Sequence, residues 1–394
     1  MAPVILTLNA GSSSLKFALF RDAGPALLRG LVEGLDKEAT ISLKGPEAPL
    51  FKPPDLAGQP YEAVLAALFE ALTRHLAGEK ISGVGHRIVH GGTRFVAPIR
   101  ISPEVLIALD SLIPLAPLHQ PHNLAAIHAI AKAHPGLPQV GCFDTAFHST
   151  LPIVATRLAL PGDLGDPAFR RYGFHGLSYE FIAGRLCTLA PALARGRAIV
   201  AHLGSGASLC AMRDGRSVET TMGFSTLEGL VMATRPGNLD AGAVLYLLQA
   251  RGMTAGAVED MLYHRSGLLG VSGISGDMRE LADSAQAAAR EAVDLFVYRL
   301  CGEIGRLTAA LGGLDGLVFT AGIGEHDAGL RAEVCRRLAW LGIVFDTDAD
   351  ARGPSADGAL RLSLHASAVA VWMVPTDEEA MIASHTRDVL AAAR

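Results

Sequence analysis

The sequence has few charged and aromatic residues and no excess of positive charge. Of its 394 residues, 19% are charged and 6% are aromatic, and the net charge is -5. A slightly acidic chain lacks the basic surface that binds nucleic acid or anionic membranes, so we expect neither as a partner. Any phosphate must then be bound by individually placed Arg and Lys side chains and by backbone N–H groups.

The sequence also lacks secretory, membrane-spanning and disulfide patterns. No apolar run reaches the about 20 residues that a spanning helix requires, and the first residues have no basic segment typical of a signal peptide. The five cysteines are odd in number, widely spaced and free of CxxC pairs, which is typical of reduced thiols. We therefore expect a cytoplasmic protein.

Two similar segments indicate an internal duplication. Residues 4–20 and residues 198–212 each consist of a strand, a turn of small residues and a second strand. In both copies an Asp/Gly turn and a third strand follow, and the copies lie about 190 positions apart. Half of the residues are hydrophobic, and the length exceeds that of one compact core, so two domains are expected.

Apolar spacing and turn residues predict the remaining elements. They are helices over 61–76, 293–311 and about 329–340, a strand over 317–320 that feeds a glycine-rich turn at 321–325, a strand over 368–374, and a last helix from Thr376. Strands that alternate with helices in this way are typical of an α/β protein. Thr376 and Glu379 have the spacing of a capping box, which leaves Glu378 available for a metal ion.

The first small-residue turn resembles a phosphate-binding turn in composition. Asn9 to Lys16 offers backbone N–H groups, the hydroxyls of Ser12 and Ser14, and the cation of Lys16. It is no Walker loop, because the residue order differs and a strand follows. A simple polar hairpin is the alternative for any single cluster of this kind.

The second turn, His202 to Ser208, repeats this composition without a lysine. As the counterpart of the first turn in a duplicated fold, it is predicted to bind phosphate too. The segment Gly322 to Glu325 lies between a strand and a helix and could receive the adenosine half of a nucleotide, although one such glycine pair is weak by itself.

Three arginines in glycine-containing segments are candidates for binding phosphate: Arg87, Arg235 and Arg279. For each of them alone a structural salt bridge is the favoured interpretation, whereas together they suit a site with several phosphate charges. Asp144 lies in an apolar stretch where an unpaired carboxylate would be costly. His175 follows an aromatic-Gly-aromatic string and could be either a functional or a structural histidine.

Taken in order, these segments resemble those of one enzyme family. The order matches that of acetate kinases for NAGSSSLK, GHRIVHGG, LAPLHQPHN, FDTAFH, RYGFHG, HLGSGAS, TRPGNLD, SGISGDMRE, AGIGE and PTDEE. The resemblance covers residues 9–379 and implies an α/β fold of duplicated actin-like ATPase (ribonuclease H-like) domains around a central nucleotide cleft. It implies an N-terminal acyl-kinase domain of residues 1–143 plus 379–394 and a nucleotide-binding domain of residues 144–378.

The resemblance also implies the activity. Acetate kinases transfer a phosphoryl group reversibly and directly from ATP to acetate, which gives acetyl phosphate and ADP on the route to acetyl-CoA. The implied cofactor is Mg²⁺, for which Mn²⁺ can substitute, with ATP as co-substrate and a homodimer as the assembly. The alternatives are a propionate kinase of the same family and an actin-like ATPase that binds protein partners.

The resemblance carries over residue by residue. Arg87 corresponds to the carboxylate anchor, His175 and Arg235 to transition-state stabilisers, and Asp144 to the acidic catalytic residue, which we expect to orient a partner rather than abstract a proton. The acyl pocket would include Val89, Leu118, His119 and Phe174 besides Arg87. The metal neighbours would be Asn9 and Glu378. The nucleotide contacts would be Ser12, Ser14, Lys16, His202, Leu203, Gly204, Ser205, Gly206, Asp277, Met278, Arg279, Gly322, Ile323, Gly324, Glu325 and His326.

Two positions depart from the family pattern. Ser205 stands where the family often has Asn, which predicts a weaker or water-mediated phosphate contact. Thr226 replaces a proline that lines the methyl pocket, so the preference for acetate over longer acyl chains is an open question.

Overall fold

In the computed structural model, residues 3–11, 14–22, 24–35, 39–162 and 169–392 are described. The strands are β1 Val4–Ala10, β2 Ser14–Arg21, β3 Ala26–Glu33, β4 Thr40–Lys44, β5 Ile81–Ile88, β6 Ile99–Arg100, β7 Gln139–Phe143, β8 Arg197–Leu203, β9 Ala207–Arg213, β10 Arg216–Thr220, β11 Gly316–Thr320, β12 Leu360–Arg361 and β13 Ala370–Met373. The helices are α1 Tyr61–His75, α2 Pro103–Asp110, α3 Gln120–Ala133, α4 Ile153–Thr156, α5 Gly176–Leu189, α6 Pro191–Ala194, α7 Ala241–Gln249, α8 Ala255–His264, α9 Gly267–Ser272, α10 Met278–Asp283, α11 Ala287–Leu311, α12 Ala321–His326, α13 Ala328–Arg337, α14 Ala349–Arg352 and α15 Glu378–Ala392.

The chain forms two compact units. Unit 1 consists of Met1–Phe147 and Asp377–Arg394, and unit 2 consists of His148–Thr376. Among the helices that the structure describes, none is both long enough and apolar enough to cross a membrane.

Unit 1 is built on a sheet with the order β4-β3-β2-β1-β5-β7-β6. The strands β1, β5 and β7 are parallel, whereas β2, β3 and β4 continue the sheet antiparallel to one another. Helices cover both faces of β1, so all seven of its residues are buried. On one face Leu6 and Leu8 pack in the core that includes Leu68 of α1 and Ile130 of α3, and on the other Ile5 packs with Ala383 of α15.

Unit 2 repeats this arrangement with the order β10-β9-β8-β11-β13-β12. The strands β8, β11 and β13 are parallel, β9 and β10 continue the sheet antiparallel where unit 1 has three such strands, and a short antiparallel strand closes the other edge in both units. The long helix α11 presents an apolar face that includes Phe296, Leu300, Ile304 and Leu307, all of which are buried. The shared strand order confirms the duplicated α/β fold that the two small-residue turns predicted.

Two local predictions are wrong. Residues 321–325 form the start of the short helix α12 rather than a turn. At the start of α15, Asp377 rather than Thr376 caps the helix, because its Oδ1 accepts a hydrogen bond from the Ala380 backbone N–H at 2.9 Å. The Thr376 hydroxyl is instead hydrogen-bonded to the Ser178 hydroxyl at 2.8 Å.

Candidate active site

The polar centre of unit 1 lies where three parallel strands end. Asn9 is near the end of β1, Arg87 is near the end of β5, and Asp144 directly follows β7. Neighbouring parallel strands end at the same edge of a sheet, which brings the three side chains together. The Arg87 Nε donates to both Asp144 carboxylate oxygens at 3.1 and 3.0 Å, and Arg87 Nη1 donates to Asn9 Oδ1 at 3.1 Å.

Burial and charge determine the protonation of this cluster. Asp144 has no exposed surface, and burial raises its pKa, while the Arg87 guanidinium acts in the opposite direction. Burial lowers the pKa of Arg87, but the carboxylates of Asp144 and Glu378 outweigh it, so that pKa is raised. The Arg87 side chain keeps 21% of its surface exposed. It is therefore a permanently charged group that is oriented by Asp144 and accessible to a small anion.

The first small-residue turn lies beside this cluster. Asn9 and Lys16 face each other across the β1–β2 pair, and Lys16 is exposed while Asn9 is buried. Ser14 begins β2 and its carbonyl accepts the Gly11 N–H at 2.8 Å. Ser12 lies outside the described residues.

The start of α15 adds carboxylates next to the cluster. Glu378 is its first residue, and the Glu379 carboxylate forms an ion pair with Arg29 at 3.5 Å. Burial raises the pKa of Glu379, and Glu378 raises it further, while Lys16 lowers it. Asp377, which the sequence did not indicate, accepts hydrogen bonds from both terminal nitrogens of Arg29.

Two buried amides that sequence reasoning missed hold the strand ends in place. Asn123 Oδ1 accepts the Val89 N–H at 2.9 Å, and its Nδ2 donates to the Ala10 carbonyl at 2.6 Å. Gln120 forms hydrogen bonds with both the backbone N–H and the carbonyl of His90, at 3.2 and 3.1 Å. Both residues lie on the first turn of α3, in the LAPLHQPHN segment, so the available signal was that segment itself.

The predicted acyl-pocket residues fall in both units. In unit 1 Val89 is buried directly after β5, while Leu118 and His119 are half-buried before α3, where His119 is the N-cap residue. In unit 2 Phe174 is 1% exposed, and its carbonyl accepts a hydrogen bond from His148 Nε2 at 3.0 Å.

The second small-residue turn joins β8 and β9 in unit 2. A Cβ atom added to Gly206 would lie 2.8 Å from Arg235 Nη2 and 3.4 Å from His175 Nε2, so a larger residue there would displace the guanidinium. The Arg235 guanidinium and the His175 ring therefore approach the same point of this turn. Arg235 Nη1 also donates to the Thr226 carbonyl at 2.9 Å, which holds the guanidinium in place.

His175 itself has an unusual backbone. Its φ of 60° is in the left-handed region, and it immediately precedes α5. A residue other than glycine is strained in this region, and such strained residues are often found at functional sites. The imidazole stacks on that of His202, with ring centroids 4.2 Å apart and an interplanar angle of 16°.

A cavity of about 860 Å³ opens beside the second turn. Its lining includes these predicted nucleotide residues: Gly204, Ser205, Asp277, Met278, Arg279, Gly322, Ile323 and His326. The lining residues that the sequence did not indicate are Ala233, Gly276, Ala282, Asp283, Asp327 and Ala328. A volume of this size accommodates a nucleoside with part of its phosphate chain.

Other residues that were predicted to contact the nucleotide lie in the protein structure around this cavity. Leu203 is fully buried, and Gly324 is buried in α12. The Glu325 carboxylate accepts the backbone N–H groups of Ala321 at 2.8 Å and Thr376 at 3.0 Å. At the cavity wall, Arg279 is paired with Asp277 through Nη2 and Oδ2 at 2.6 Å, and its side chain is 87% exposed.

Possible metal ligands are few. Within the described part of the chain, no group of three or more His, Cys, Asp and Glu side chains could hold a metal ion. Asn9 carries an amide oxygen and Glu378 a carboxylate, and both are oxygen donors of the kind that Mg²⁺ prefers.

A duplicated α/β fold with a nucleotide-sized cavity beside one of its small-residue turns defines a class, that of the actin-like phosphotransferases. The sequence profile of the Acetokinase family matches residues 4–384. The chain belongs to the Acetokinase family. It is 51% identical to the acetate kinase of Rhodopseudomonas palustris over 392 residues, with 98% of each chain covered.

Solved structures resemble the fold over its whole length. The crystal structure of Porphyromonas gingivalis acetate kinase has a TM-score of 0.88 and 38% identity, covering 99% of this chain and 100% of that one. A propionate kinase from Francisella tularensis has a TM-score of 0.89 and 34% identity, covering 98% and 100%.

Proposed function

We propose that this protein is an ATP-dependent kinase that phosphorylates the carboxylate of acetate. A carboxylate oxygen of acetate attacks the γ-phosphorus, the bond from that phosphorus to the ADP oxygen breaks, and acetyl phosphate and ADP result. The reaction is reversible. Family membership and 51% identity over 98% of an acetate kinase support this activity.

Phosphorylation of acetate requires a positive charge beside its carboxylate rather than the removal of a proton. Acetate, like a Glu side chain with a pKa of about 4.3, is already ionised at neutral pH, so no general base is needed. We propose that Arg87 binds the acetate carboxylate. Its bonds to both Asp144 oxygens support a role for Asp144 in orienting the guanidinium. This pair of residues is the observation on which the proposal depends most.

Unit 2 would supply the nucleotide and the stabilisation of transferred charge. The cavity beside Gly204 would hold ATP. Arg235 and His175 approach one point at Gly206, where they could donate hydrogen bonds to the oxygens of the transferred phosphoryl group. On this basis, an acyl-kinase domain of residues 1–143 plus 379–394 and a nucleotide-binding domain of residues 144–378 remain our proposed division.

We further propose that Mg²⁺, or Mn²⁺ in its place, binds near Asn9 and Glu378 together with the nucleotide phosphates. The donor set fits a hard cation, since both atoms are oxygens and Asp144 adds negative charge nearby. Bound there, the ion would supply positive charge to the phosphates. The Asn9 oxygen is also the acceptor of Arg87, so the same side chain would keep the anchor in position.

The acyl group would contact Val89, Leu118 and Phe174. All three side chains are at least half-buried and apolar. Thr226 replaces a proline of the family pattern, and its backbone carbonyl accepts the bond from Arg235 Nη1, so that bond does not depend on the side chain at position 226.

The direct experiment traps acyl phosphate with hydroxylamine for acetate, propionate and butyrate, with and without Mg²⁺. We expect the highest kcat/KM for acetate and no product without a divalent ion. Equal kcat/KM values for the three acids would indicate a broader acyl-kinase activity instead of an acetate kinase activity. No acyl phosphate from any of them would contradict the proposal.

We also propose a homodimer that covers α7. None of the nine residues of this helix, all of which the structure describes, is buried, although its sequence is AGAVLYLLQ. Leu245 and Tyr246 are 51% and 57% exposed, and neighbouring Leu239 is 48% exposed. Such an apolar surface is typical of a contact between copies. Sedimentation should show a dimer that Leu245→Glu dissociates and Ile153→Glu, at an equally apolar but separate position, does not.

A cytoplasmic location is the last part of the proposal. The five cysteines are free thiols, and Cys142, Cys210 and Cys335 are buried. Free thiols and the use of ATP both suit a reducing compartment.

A further inference from the structure

A chain of two buried hydroxyls, those of Ser208 and then Tyr179, leads away from Nδ1 of His175. Its Nδ1 lies 2.8 Å from Ser208 Oγ, and the same oxygen lies 2.5 Å from the Tyr179 hydroxyl. Ser208 and Tyr179 are both fully buried. The Nε2 atom is on the other side of the ring, next to the turn at Gly206 and the Arg235 guanidinium.

The stacked partner ring is held in the same manner. His202 Nδ1 lies 2.8 Å from Ser178 Oγ, which in turn lies 2.8 Å from the Thr376 hydroxyl. Each of the two imidazoles therefore has a hydroxyl at Nδ1 and a second hydroxyl behind it. Two protonated rings 4.2 Å apart would repel each other, as would a protonated His175 beside Arg235.

The chemistry of the three groups favours one direction for the hydrogen bonds. A phenol is the better donor of the two hydroxyls, and a neutral imidazole nitrogen is a better acceptor than a phenol oxygen. Burial also raises the pKa of Tyr179 well above its usual value, so its O–H proton is retained. The Tyr179 O–H then donates to Ser208 Oγ, and the Ser208 O–H donates to His175 Nδ1.

We propose that Tyr179 and Ser208 are positioning residues that hold His175 as the neutral tautomer with its proton on Nε2. That N–H then donates to an oxygen of the transferred phosphoryl group beside Arg235. The inference rests on the function proposed above for His175. It adds two residues to the reaction, neither of which touches the substrate.

His148 provides an internal reference for this tautomer. Its Nε2 faces the Phe174 carbonyl, which can only accept, at 3.0 Å, and its Nδ1 lies 2.8 Å from Ser217 Oγ. The Nε2–H tautomer is thus required at His148, again with a serine hydroxyl at Nδ1. Burial lowers the pKa of His148 to about 4, so this ring is neutral at neutral pH.

The test combines NMR with kinetics. In ¹⁵N-histidine-labelled protein at pH 7, His175 should show the same pattern as His148, with a proton on Nε2 and none on Nδ1. Ser208→Ala should lower kcat by about 10- to 100-fold, the scale of the loss when a hydrogen-bond partner that orients a metal-ligating histidine is removed. The KM values for acetate and ATP should stay within about twofold, and Nδ1–H should become detectable at His175.

Further variants separate positioning from folding. Ser208→Thr retains the hydroxyl and should restore most of kcat, while Tyr179→Phe should give an intermediate loss. Ser217→Ala removes the corresponding hydroxyl from His148 and should leave kcat unchanged. A proton on Nδ1 of His175 in the wild-type protein, or full activity of Ser208→Ala, would overturn the inference. Full activity of His175→Ala would instead overturn the proposed function of His175.

Discussion

The two units use the same strand arrangement for different chemistry. In β1 and β2 of unit 1, Asn9 pairs with Lys16 one position before the strands reach their turn. In β8 and β9 of unit 2, the corresponding pair is His202 and Ser208. The first pair leads to a charged cluster, and the second leads to imidazole rings and hydroxyls.

The difference shows what the duplicated scaffold determines and what it leaves to the side chains. The scaffold brings strand ends and a small-residue turn to one edge of each sheet. In unit 1 that edge carries Arg87, Asp144 and Glu378, which suits a small anion and a cation. In unit 2 it carries backbone N–H groups and imidazoles, with Arg235 brought in from a loop, which suits phosphate oxygens.

The largest expected effect is that of Arg235, the arginine that a loop brings to the second turn of unit 2. Arg235→Ala should lower kcat about 10³-fold, the scale of arginines that stabilise transferred phosphoryl charge. Steady-state kinetics with saturating ATP and acetate measures it. Arg336→Ala, which removes an exposed arginine paired with Glu333, serves as the control. A loss of only a few-fold would remove Arg235 from the site.

The pH dependence of the free energy of unfolding tests a feature that both units share, a buried histidine. Burial lowers the pKa of His86 in unit 1 to about 4, from an unfolded value near 6.5. Between these values the unfolded state binds more protons, so the free energy of unfolding falls as pH falls through this window, by about 3 kcal/mol for such a group.

Urea unfolding at a series of pH values measures this effect. His86→Gln, which keeps a polar group beside Gln139, should flatten the slope between pH 6.5 and 4. An unchanged slope would show that His86 does not contribute to it.

Asp144→Asn tests whether Asp144 orients the Arg87 guanidinium or abstracts a proton. An amide cannot accept as many bonds from Arg87, so the guanidinium should shift and kcat should fall about 10²-fold, as for small misplacements of a reacting group. The activity should not return at high pH or with added small bases. Rescue by either would indicate that Asp144 acts as a general base.

Asn123→Ala should have the smallest effect of these substitutions on activity. It leaves the Val89 N–H and the Ala10 carbonyl unsatisfied, which should destabilise unit 1 by about 1–3 kcal/mol per group and lower kcat/KM for acetate about tenfold. Gln139 is the matched control, since its amide also joins two buried groups, His86 and the Ile127 carbonyl. Gln139→Ala should lower stability without that loss in kcat/KM, and equal losses would remove Asn123 from a positioning role.

Much of the fold could be predicted from local patterns. The two turns of small residues, the buried strand at 4–8 and the helical spacing of Phe296, Leu300 and Ile304 each correspond to observed elements. The prediction for Thr376 failed because its hydrogen-bond partners are distant in sequence. Thr376 had the spacing of a helix cap, but the cap is Asp377, and Thr376 is bonded to Ser178 and Glu325.

For the candidate site, too, some residues could be predicted from the sequence and others could not. Glycine, arginine and histidine segments indicated Arg87, His175, Arg235 and the second turn, because their residue types are unusual in apolar surroundings. Asn123 and Tyr179 gave no such signal, since a buried Asn or Tyr is chemically ordinary until its partner is known, and Ser208 was predicted only as the last residue of the second turn.

The sequence by itself determined the residue types and their order, and with them the α/β class, the duplication and the family. Periodicity and turn chemistry act over a few residues, so they can be read along the chain. Only the tertiary structure decided which groups meet: Arg87 with Asp144 and Asn9, Arg235 with Gly206, and Ser208 with both His175 and Tyr179. These pairings depend on parallel strands ending side by side and on loops that fold back over them, and neither leaves a local pattern in the chain.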